Sequence, residues 1–589
     1  MTGERDPPGI TNADVAAQFE AFADLLEAKD VEYKPRAYRR AAENIRAHAR
    51  PVAEIAREDP DALQEIDRVG EAIAEKIVEY AETGEIGELE ELRAELPVDM
   101  AALTSVEGVG PKTVGSLYDA LGITDLDDLE AAAREGKIQE VSGFGAKTEQ
   151  NILEGIEFAR QVGERHLLGE VRPLADDALA HLDVDAVQRV EVAGSIRRWQ
   201  ETIGDVDLLV ATGDDAAVVD RFVEWPAADE VIEAGDQKAS VRADGARVDL
   251  RAVDPSEFGA ALQYFTGDVD HNVHLRNVAI DRDLKMNEYG VFDVTVVEDP
   301  DAGQRVGERI AGETEQSMYA ALDLPWIPPE MRRDTGEIEA AASGELPALI
   351  EEGEIRGDLH THTEWSDGNN TVAEMVQAAA DFGYDYHAVT DHAAGAGTPP
   401  AIGLDSTEVR EQIETVEAVA ADAPIEVFHG VEANVTADGG LSPDADVLGE
   451  LDLVIASPHA ALGQDYETAT ERLVGAVEDP RVDVLGHPSG RLIHDRPGLE
   501  FDVERVARAA ADHGVALEVN ANPHRLDLWG DAVQRALDAG ATIAIDTDAH
   551  SPPELAYVRY GVHTARRGWA EPADVLNARD VEGVREFLG

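Results

Sequence analysis

The sequence predicts a multidomain protein combining α+β and α/β folds: a helical N-terminal region, a mixed strand-and-helix centre and a C-terminal (β/α) barrel. Three observations carry that reading. Residues 11–95 set apolar side chains at spacings of three and four, as at Val15, Phe19, Phe22, Leu25 and Leu26, with few strand signals. Residues 166–255 alternate strand and helix patterns. From Asp358 onward histidines concentrate, several just beyond β-rich runs such as Leu453-Val454-Ile455-Ala456 and Thr542-Ile543-Ala544-Ile545. Loops at the C-terminal ends of strands are where α/β barrels carry their reactive groups.

A length of 589 residues without a solenoid-type repeat implies several domains. The hydrophobic fraction is ample for packed cores, although the formal net charge is −73. Lysine is scarce, occurring last at Lys285. That pattern fits a protein adapted to molar salt, where a Debye length of roughly 3 Å screens the self-repulsion. Such acidity ordinarily argues against nucleic acid as a partner; the motifs below overrule it. There is no cysteine, so disulfides and thiolate metal sites are excluded and any metal must be held by His, Asp and Glu. The N-terminus shows no signal pattern and no apolar run is long enough to span a bilayer, so the expectation is a cytoplasmic protein with no membrane partner.

Along the helical region lie three glycine turns that feed helices: Val69-Gly70, Gly108-Val109-Gly110-Pro111-Lys112 and Gly143-Phe144-Gly145-Ala146-Lys147. They resemble helix-hairpin-helix motifs, the first degenerate because Arg68 stands where a glycine is expected. Glycine lets backbone approach phosphate, and helix N-terminal amides bind anions without basic side chains. Any one turn is explained as a plain connection; three in order favour DNA contact at Gly70, Gly108, Gly110, Gly143 and Gly145.

Residues 194–208 read Gly-Ser-Ile-Arg-Arg-Trp-Gln-Glu-Thr-Ile-Gly-Asp-Val-Asp-Leu. Asp205 and Asp207 sit two apart on a strand and so point to one face. Asp249, in Arg247-Val248-Asp249-Leu250-Arg251, is a third acid on a strand that could lie beside the first. Three such acids, with Ser195 and Arg198 nearby to hold phosphate, suit two-metal phosphoryl transfer. An Asp-X-Asp pair alone would more often be a solvated edge in so acidic a chain. The Gly-Ser-X-Arg-Arg lead-in, Gly204 and the Asp249 strand make this stretch resemble the family X DNA polymerases.

The resemblance implies that Asp205 and Asp207 bridge two Mg²⁺ or Mn²⁺ ions and that Asp249 binds the catalytic ion. It also implies that Ser195, Arg198 and Gly204 contact an incoming dNTP. Tyr264-Phe265-Thr266-Gly267 matches the family's sugar-side motif, so Tyr264, Phe265 and Gly267 join the nucleotide site; Asn272 and Arg276 match positions at the nascent base pair. Asp268 replaces the family's serine, and an extra carboxylate there weakens nucleotide binding unless it is turned away or screened. In the first helical unit Lys76 falls on the family's Schiff-base lysine, with Lys34 and Tyr38 in the same 5′-phosphate pocket. A helix-surface lysine is the equal alternative, since a nucleophilic amine needs a lowered pKa.

The C-terminal motifs are Asp358-Leu359-His360-Thr361-His362, Ser366-Asp367-Gly368, Thr390-Asp391-His392, Gly430-Val431-Glu432, Ser457-Pro458-His459, Gly486-His487-Pro488 and Asp548-Ala549-His550. Imidazole and carboxylate donors suit Zn²⁺ or Mn²⁺. A lone buried histidine is usually structural; this many ligand-type residues in one domain is not explained that way. The set resembles the PHP (polymerase and histidinol phosphatase) domain. That resemblance implies three ions, held by His360, His362, Glu432 and Asp548; by Glu432, His459 and His487; and by Asp367, His392 and His550. It implies a metal-dependent phosphoesterase with 3′→5′ exonuclease and abasic-site endonuclease activity.

The expected organisation is a lyase-like helical domain (1–90), a helix-hairpin-helix subdomain (91–165), a nucleotidyltransferase palm (166–255), a subdomain binding the nascent base pair (256–325), a linker (326–355) and a PHP domain (356–589). The expected function is filling of short gaps in DNA repair, on gapped or nicked duplex DNA, by a monomer. Two rivals stand beside it: a PHP nuclease or phosphatase whose polymerase half only binds DNA, and a non-catalytic repair scaffold.

Overall fold

The computed structural model describes residues 12–589 except 157–164, the short gaps 396–397, 399–401 and 443–444, and scattered positions, most of them between 30 and 155. The N-terminal helices, among them Asn12–Ala28, Lys34–Arg46 and Glu71–Thr83, close over a core of Phe19, Phe22, Ile45, Leu63, Ile77 and Leu89. The apolar positions seen at spacings of three and four are those buried. A second small core, built on Val106, Val114, Leu117 and Leu129, surrounds the helix Pro111–Leu121.

The central sheet contains β1 (Val187–Val192), β2 (Asp205–Thr212), β3 (Glu230–Ala234), β4 (Lys238–Ala243) and β5 (Ala246–Val253), in the spatial order β1-β2-β5-β4-β3. Val206, Leu208 and Val210 of β2 enter one core with Val248 of β5 and Phe222 of the covering helix. Because side chains alternate along a strand, Asp205 and Asp207 emerge on the opposite face. Beyond the sheet come the helices Phe258–Thr266 and Val269–Ile280. A small antiparallel sheet follows, of β6 (Leu284–Asn287), β7 (Gly290–Asp293) and β8 (Glu308–Ala311).

Residues 326–355 are not the loose linker their acidic, Ala- and Gly-containing composition suggests. Ile327, Met331, Ile338 and Ala341 pack with Leu275, Met318 and Tyr319. The charged residues of this segment have partners distant in the chain. Glu330 accepts from Arg566 Nε at 2.7 Å and contacts His563 Nδ1 at 2.6 Å, and Glu337 contacts His271 Nδ1 at 2.5 Å. Arg332 is fully buried against Glu315, which also takes two bonds from Arg197 at 2.8 and 2.9 Å.

The C-terminal part is a nearly closed barrel. β9 (Gly357–Asp358), β10 (Tyr386–Val389), β11 (Glu426–Val435), β12 (Leu453–Ser457), β13 (Val484–Leu485), β14 (Ala516–Asn520) and β15 (Thr542–Asp546) run parallel in chain order. Its interior takes Ala388, Phe428, Ile455, Val484, Ala516 and Ala544, one from each strand β10 to β15, with Leu359 just past β9. A parallel bridge between Thr361 and Ala549 joins the two ends of the sheet, and the Leu359 amide donates to Asp546 Oδ1 at 2.7 Å.

Barrel and central sheet share a seam. The Trp199 ring stacks on His563 with centroids 3.7 Å apart. Arg491 pairs with Glu201 at 3.1 Å and Arg559 with Asp176 at 2.9 Å. Among the described residues no helix is long and apolar enough to cross a membrane.

Asp483 precedes β13 and its carboxylate accepts from the Val454 amide at 2.8 Å. Burial pushes it up to about 7. Its folded pKa lies above the unfolded one, so the native state holds the extra proton and stability falls as pH rises between the two. Asp483→Asn keeps the acceptor and removes the charge. Thermal melts are expected to show the variant more stable by roughly 1–3 kcal/mol at pH 8, with no gain at pH 4.

Candidate active sites

β2 and β5 pair in parallel with Asp207 opposite Asp249 and Asp205 opposite Arg247, and the three carboxylates converge closely enough to hold a cation. Burial, with Asp205 and Asp249 alongside, pushes Asp207 up to about 7. Arg247 Nε donates to Asp249 Oδ1 at 2.9 Å, and Ser240 Oγ bonds the same oxygen. These two partners were not singled out from sequence; Arg247 was findable, being two residues before Asp249 and hence on the same face. A cleft of about 280 Å³ beside the acids is lined by Asp207, Asp249, Lys238, Arg251 and Phe265.

Gly194 begins the short helix Gly194–Arg197 with φ +62°, and a Cβ there would lie 2.1 Å from Asp207 Oδ2. Glycine is required on both counts: the left-handed backbone and the room for a ligand carboxylate. Ser195 follows on the same helix, half-buried, and Gly204 immediately precedes β2. Arg198 donates from Nη1 to the Thr266 carbonyl at 2.6 Å and lies close enough to Asp207 and Asp268 to feel both charges. Asp268 caps the helix Val269–Ile280, accepting from the His271 amide at 2.9 Å. The departure from the family serine is thus turned into a helix cap and screened by Arg198, a role that serine also performs. Asn272 donates to the carbonyls of Tyr264 (2.7 Å) and Gly267 (3.0 Å), fixing the Tyr264-Phe265-Thr266-Gly267 turn. Arg276 lies one turn further along that helix, its buried Nε without a hydrogen-bond partner.

In the barrel the ligand-type side chains gather at the C-terminal ends of the strands. His362, Asp367, His392 and His550 form one convergent group, His360, His362 and Asp548 a second, and His392, Glu432 and His459 a third. His487 approaches Glu432 Oε1 through Nε2 at 2.9 Å. The sequence-expected sets are therefore brought to one place, with His362 and His392 each standing between two groups. Donor chemistry fits divalent cations: His360 Nε2, His362 Nε2, Glu432 Oε2 and His459 Nε2 are buried without hydrogen-bond partners among the described residues. The carboxylates draw positive charge into this pocket. Burial opposes charging of His392, yet Glu432 and Asp367 carry it up to about 10. Asp548 sits at φ +55° and His487 at φ +23°, strained backbone of the kind tolerated at functional sites. Behind the ligands, Glu518 Oε1 contacts His360 Nδ1 at 2.6 Å and Asn434 Oδ1 contacts His459 Nδ1 at 2.8 Å. Such partners fix ring orientation and leave the other nitrogen for the metal. Glu518 was missed; a carboxylate inside the apolar run Ala516–Asn520 was its signal.

In the helical region Gly70 and Gly110 are N-caps with extended backbone, no side-chain cap and nothing within 4 Å of an added Cβ, as at Gly145. At Gly70 and Gly110 no side chain therefore shields the helix N-terminus from an anion. Gly108 and Gly143 lie outside the described residues. Lys76 bonds Glu88 at 2.5 Å. Burial lowers its pKa, but Glu88 and Tyr38 outweigh that and hold it above its ordinary value. An amine kept protonated is not poised to attack an aldehyde. Tyr38 is buried, stacked on Phe22, and Lys34 is exposed.

A sheet with paired aspartates and a histidine-lined barrel define a metal-dependent protein with two candidate centres. Comparison with known families matches residues 10–86 to a helix-hairpin-helix domain, 100–157 to a SAM-like helix-hairpin-helix tandem, 261–333 to the DNA polymerase beta thumb and 358–522 to the PHP domain. The chain is 36% identical to the DNA polymerase/3′-5′ exonuclease PolX of Bacillus subtilis over 98% of its own length and 99% of that protein. A probable phosphatase of Shewanella oneidensis is 30% identical over 33% of this chain and 75% of its own. A probable phosphatase of Thermoanaerobacter pseudethanolicus is 29% identical over 39% and 93%. The chain belongs to the family X DNA polymerases that carry a C-terminal PHP domain.

Two substitutions probe the centres. Gly194→Ala is expected to lower primer extension by about 100-fold or more, since Asp207 must move, a displacement of the size that disables positioned groups. Glu518→Gln is expected to weaken metal retention in the barrel by about 10–100-fold, read by elemental analysis after dialysis against a buffered chelator.

Proposed function

We propose that the protein fills short gaps in duplex DNA from dNTPs and trims DNA 3′ ends at its barrel site. The observation that carries the polymerase reading is the parallel register of Asp207 with Asp249 beside Asp205. Asp205 and Asp207 hold two Mg²⁺ or Mn²⁺ ions, which when bound stabilise the attacking and leaving oxygens. Arg247 and Ser240 occupy Oδ1 of Asp249, so Oδ2 is the oxygen that takes the proton of the primer 3′-hydroxyl. Ser195 and Arg198 bind the triphosphate, and Asn272 keeps the Tyr264–Gly267 turn beside the sugar. The helix N-termini at Gly70 and Gly110 hold DNA phosphates, a device that suits a chain of net charge −73 working in molar salt as a monomer.

The barrel ligands hold three Zn²⁺ or Mn²⁺ ions, which when bound lower the pKa of a water and clamp a phosphodiester. Hydrolysis adds the water oxygen to phosphorus, breaks the P–O3′ bond and returns a proton to the 3′-oxygen, releasing a 5′-mononucleotide. Glu518 orients His360, and Asn434 orients His459. A second reading, a phosphatase acting on small phosphate esters, is favoured by the probable phosphatases that match the barrel part.

The deciding assay uses a labelled primer facing a one-nucleotide gap with a 5′-phosphate, in molar KCl with Mn²⁺, with and without dNTPs. Lengthening is expected to be lost in Asp205→Ala and shortening in His360→Ala, each with the other reaction retained. Shortening alone in the parent protein would reduce the polymerase half to a DNA clamp.

A further inference from the structure

Six of the seven barrel strands deliver the candidate metal ligands, counting the loops that follow them; β14 delivers none. The loop after β14 carries Arg525 instead. Its Nε lies 3.5 Å from Asp548 Oδ2, while Asp548 Oδ1 faces His362 Nε2 at 3.1 Å. Its charge acts on both Asp548 and His487, so the guanidinium borders the ligand cluster. Arg525 Nη1 is buried without a hydrogen-bond partner among the described residues.

A guanidinium offers five donors in a planar fork, and one 3.5 Å contact to a carboxylate already bonded by Asn520 Nδ2 at 3.2 Å does not satisfy them. Beside a cluster that collects divalent cations its charge is unfavourable unless an anion joins them. An oxyanion with several oxygens meets both needs, and arginine matches phosphate geometry better than any other side chain.

The loop is built to hold this residue still. Arg491 donates from Nε to the Arg525 carbonyl at 2.7 Å and from Nη2 to the Leu526 carbonyl at 2.5 Å. Arg491 is itself paired with Glu201 of the polymerase half at 3.1 Å. The buried Asp527 accepts from Ser489 Oγ and the Gly490 amide, each at 2.9 Å. Such preorganisation belongs to a residue that must meet charge developing at a fixed point.

We propose that Arg525 is a catalytic residue of the barrel site, its unpartnered nitrogen pairing with a non-bridging oxygen of the scissile phosphodiester and then with the 5′-phosphate of the released mononucleotide. The proposal deepens, and rests on, the nuclease reading given above. Its test uses full-length Mn²⁺-loaded protein, Arg525→Ala and Arg525→Lys, with melting temperature and metal content measured for each. Calorimetric titration with thymidine 5′-monophosphate is expected to show binding weakened about 10-fold or more in Arg525→Ala, with metal content equal to the parent. Exonuclease kcat/KM is expected to fall by about 10²–10³-fold, partly restored in Arg525→Lys. Unchanged mononucleotide affinity would overturn the proposal. So would loss of metal in step with loss of affinity, which would make Arg525 a buttress of Asp548. Should the parent fail to shorten DNA, the nuclease reading falls on its own, and the mononucleotide titration still decides whether Arg525 holds phosphate.

Discussion

Like charges brought together inside a protein are the constraint on which both halves of this molecule turn. Asp205, Asp207 and Asp249 face one another across two paired strands, and Glu432, Asp548 and Asp367 sit among histidines at the mouth of the barrel. At short range and reduced dielectric such groups repel by several kcal/mol unless cations come between them. The architecture exists to make that crowding rigid. Parallel pairing fixes the aspartates, and six strand ends fix the histidines and carboxylates of the barrel cluster. The partners behind them, Arg247 for Asp249 and Glu518 for His360, settle which atom is left over for a ligand.

The two centres are physically continuous. Trp199, immediately after Arg198, stacks on His563 of the barrel, and Glu201 reaches Arg491. Arg491 in turn holds the loop that presents Arg525 to the second centre. Residues 329–332 complete the seam through Glu330, which meets both His563 and Arg566. The loop that serves one site and the loop that serves the other therefore lean on the same few side chains.

Much of this was legible from residues close together in the chain. Alternation along β2 and β5 told which face the aspartates take, and the Gly-Ser-X-Arg-Arg lead-in marked the turn beside them. The histidine motifs after apolar runs located the barrel and its active end. What the chain could not reveal are pairings across long separations. Glu88 holding Lys76 protonated, Arg566 neutralising Glu330 and Glu518 bracing His360 each depend on a partner whose proximity only folding creates. The same holds for residues 326–355, whose acids look solvated until the arginine and histidines that meet them are known. Asp268 was read as a liability; its capping of a helix and its closeness to Arg198 follow from local geometry that composition does not express.

The barrel closes where Thr361 meets Ala549, so the earliest ligand-bearing segment is completed by one of the last. His360 and His362 emerge from the ribosome nearly two hundred residues before Asp548 and His550. A chain that ends before His550 lacks part of the barrel's ligand set. The palm, with β1 to β5 contiguous and upstream, needs none of that sequence to form its strands. Translation thus builds the strand-pairing centre first and the shared-ion centre last, and a chain cut short loses the means to degrade DNA before it loses the sheet that carries the three aspartates.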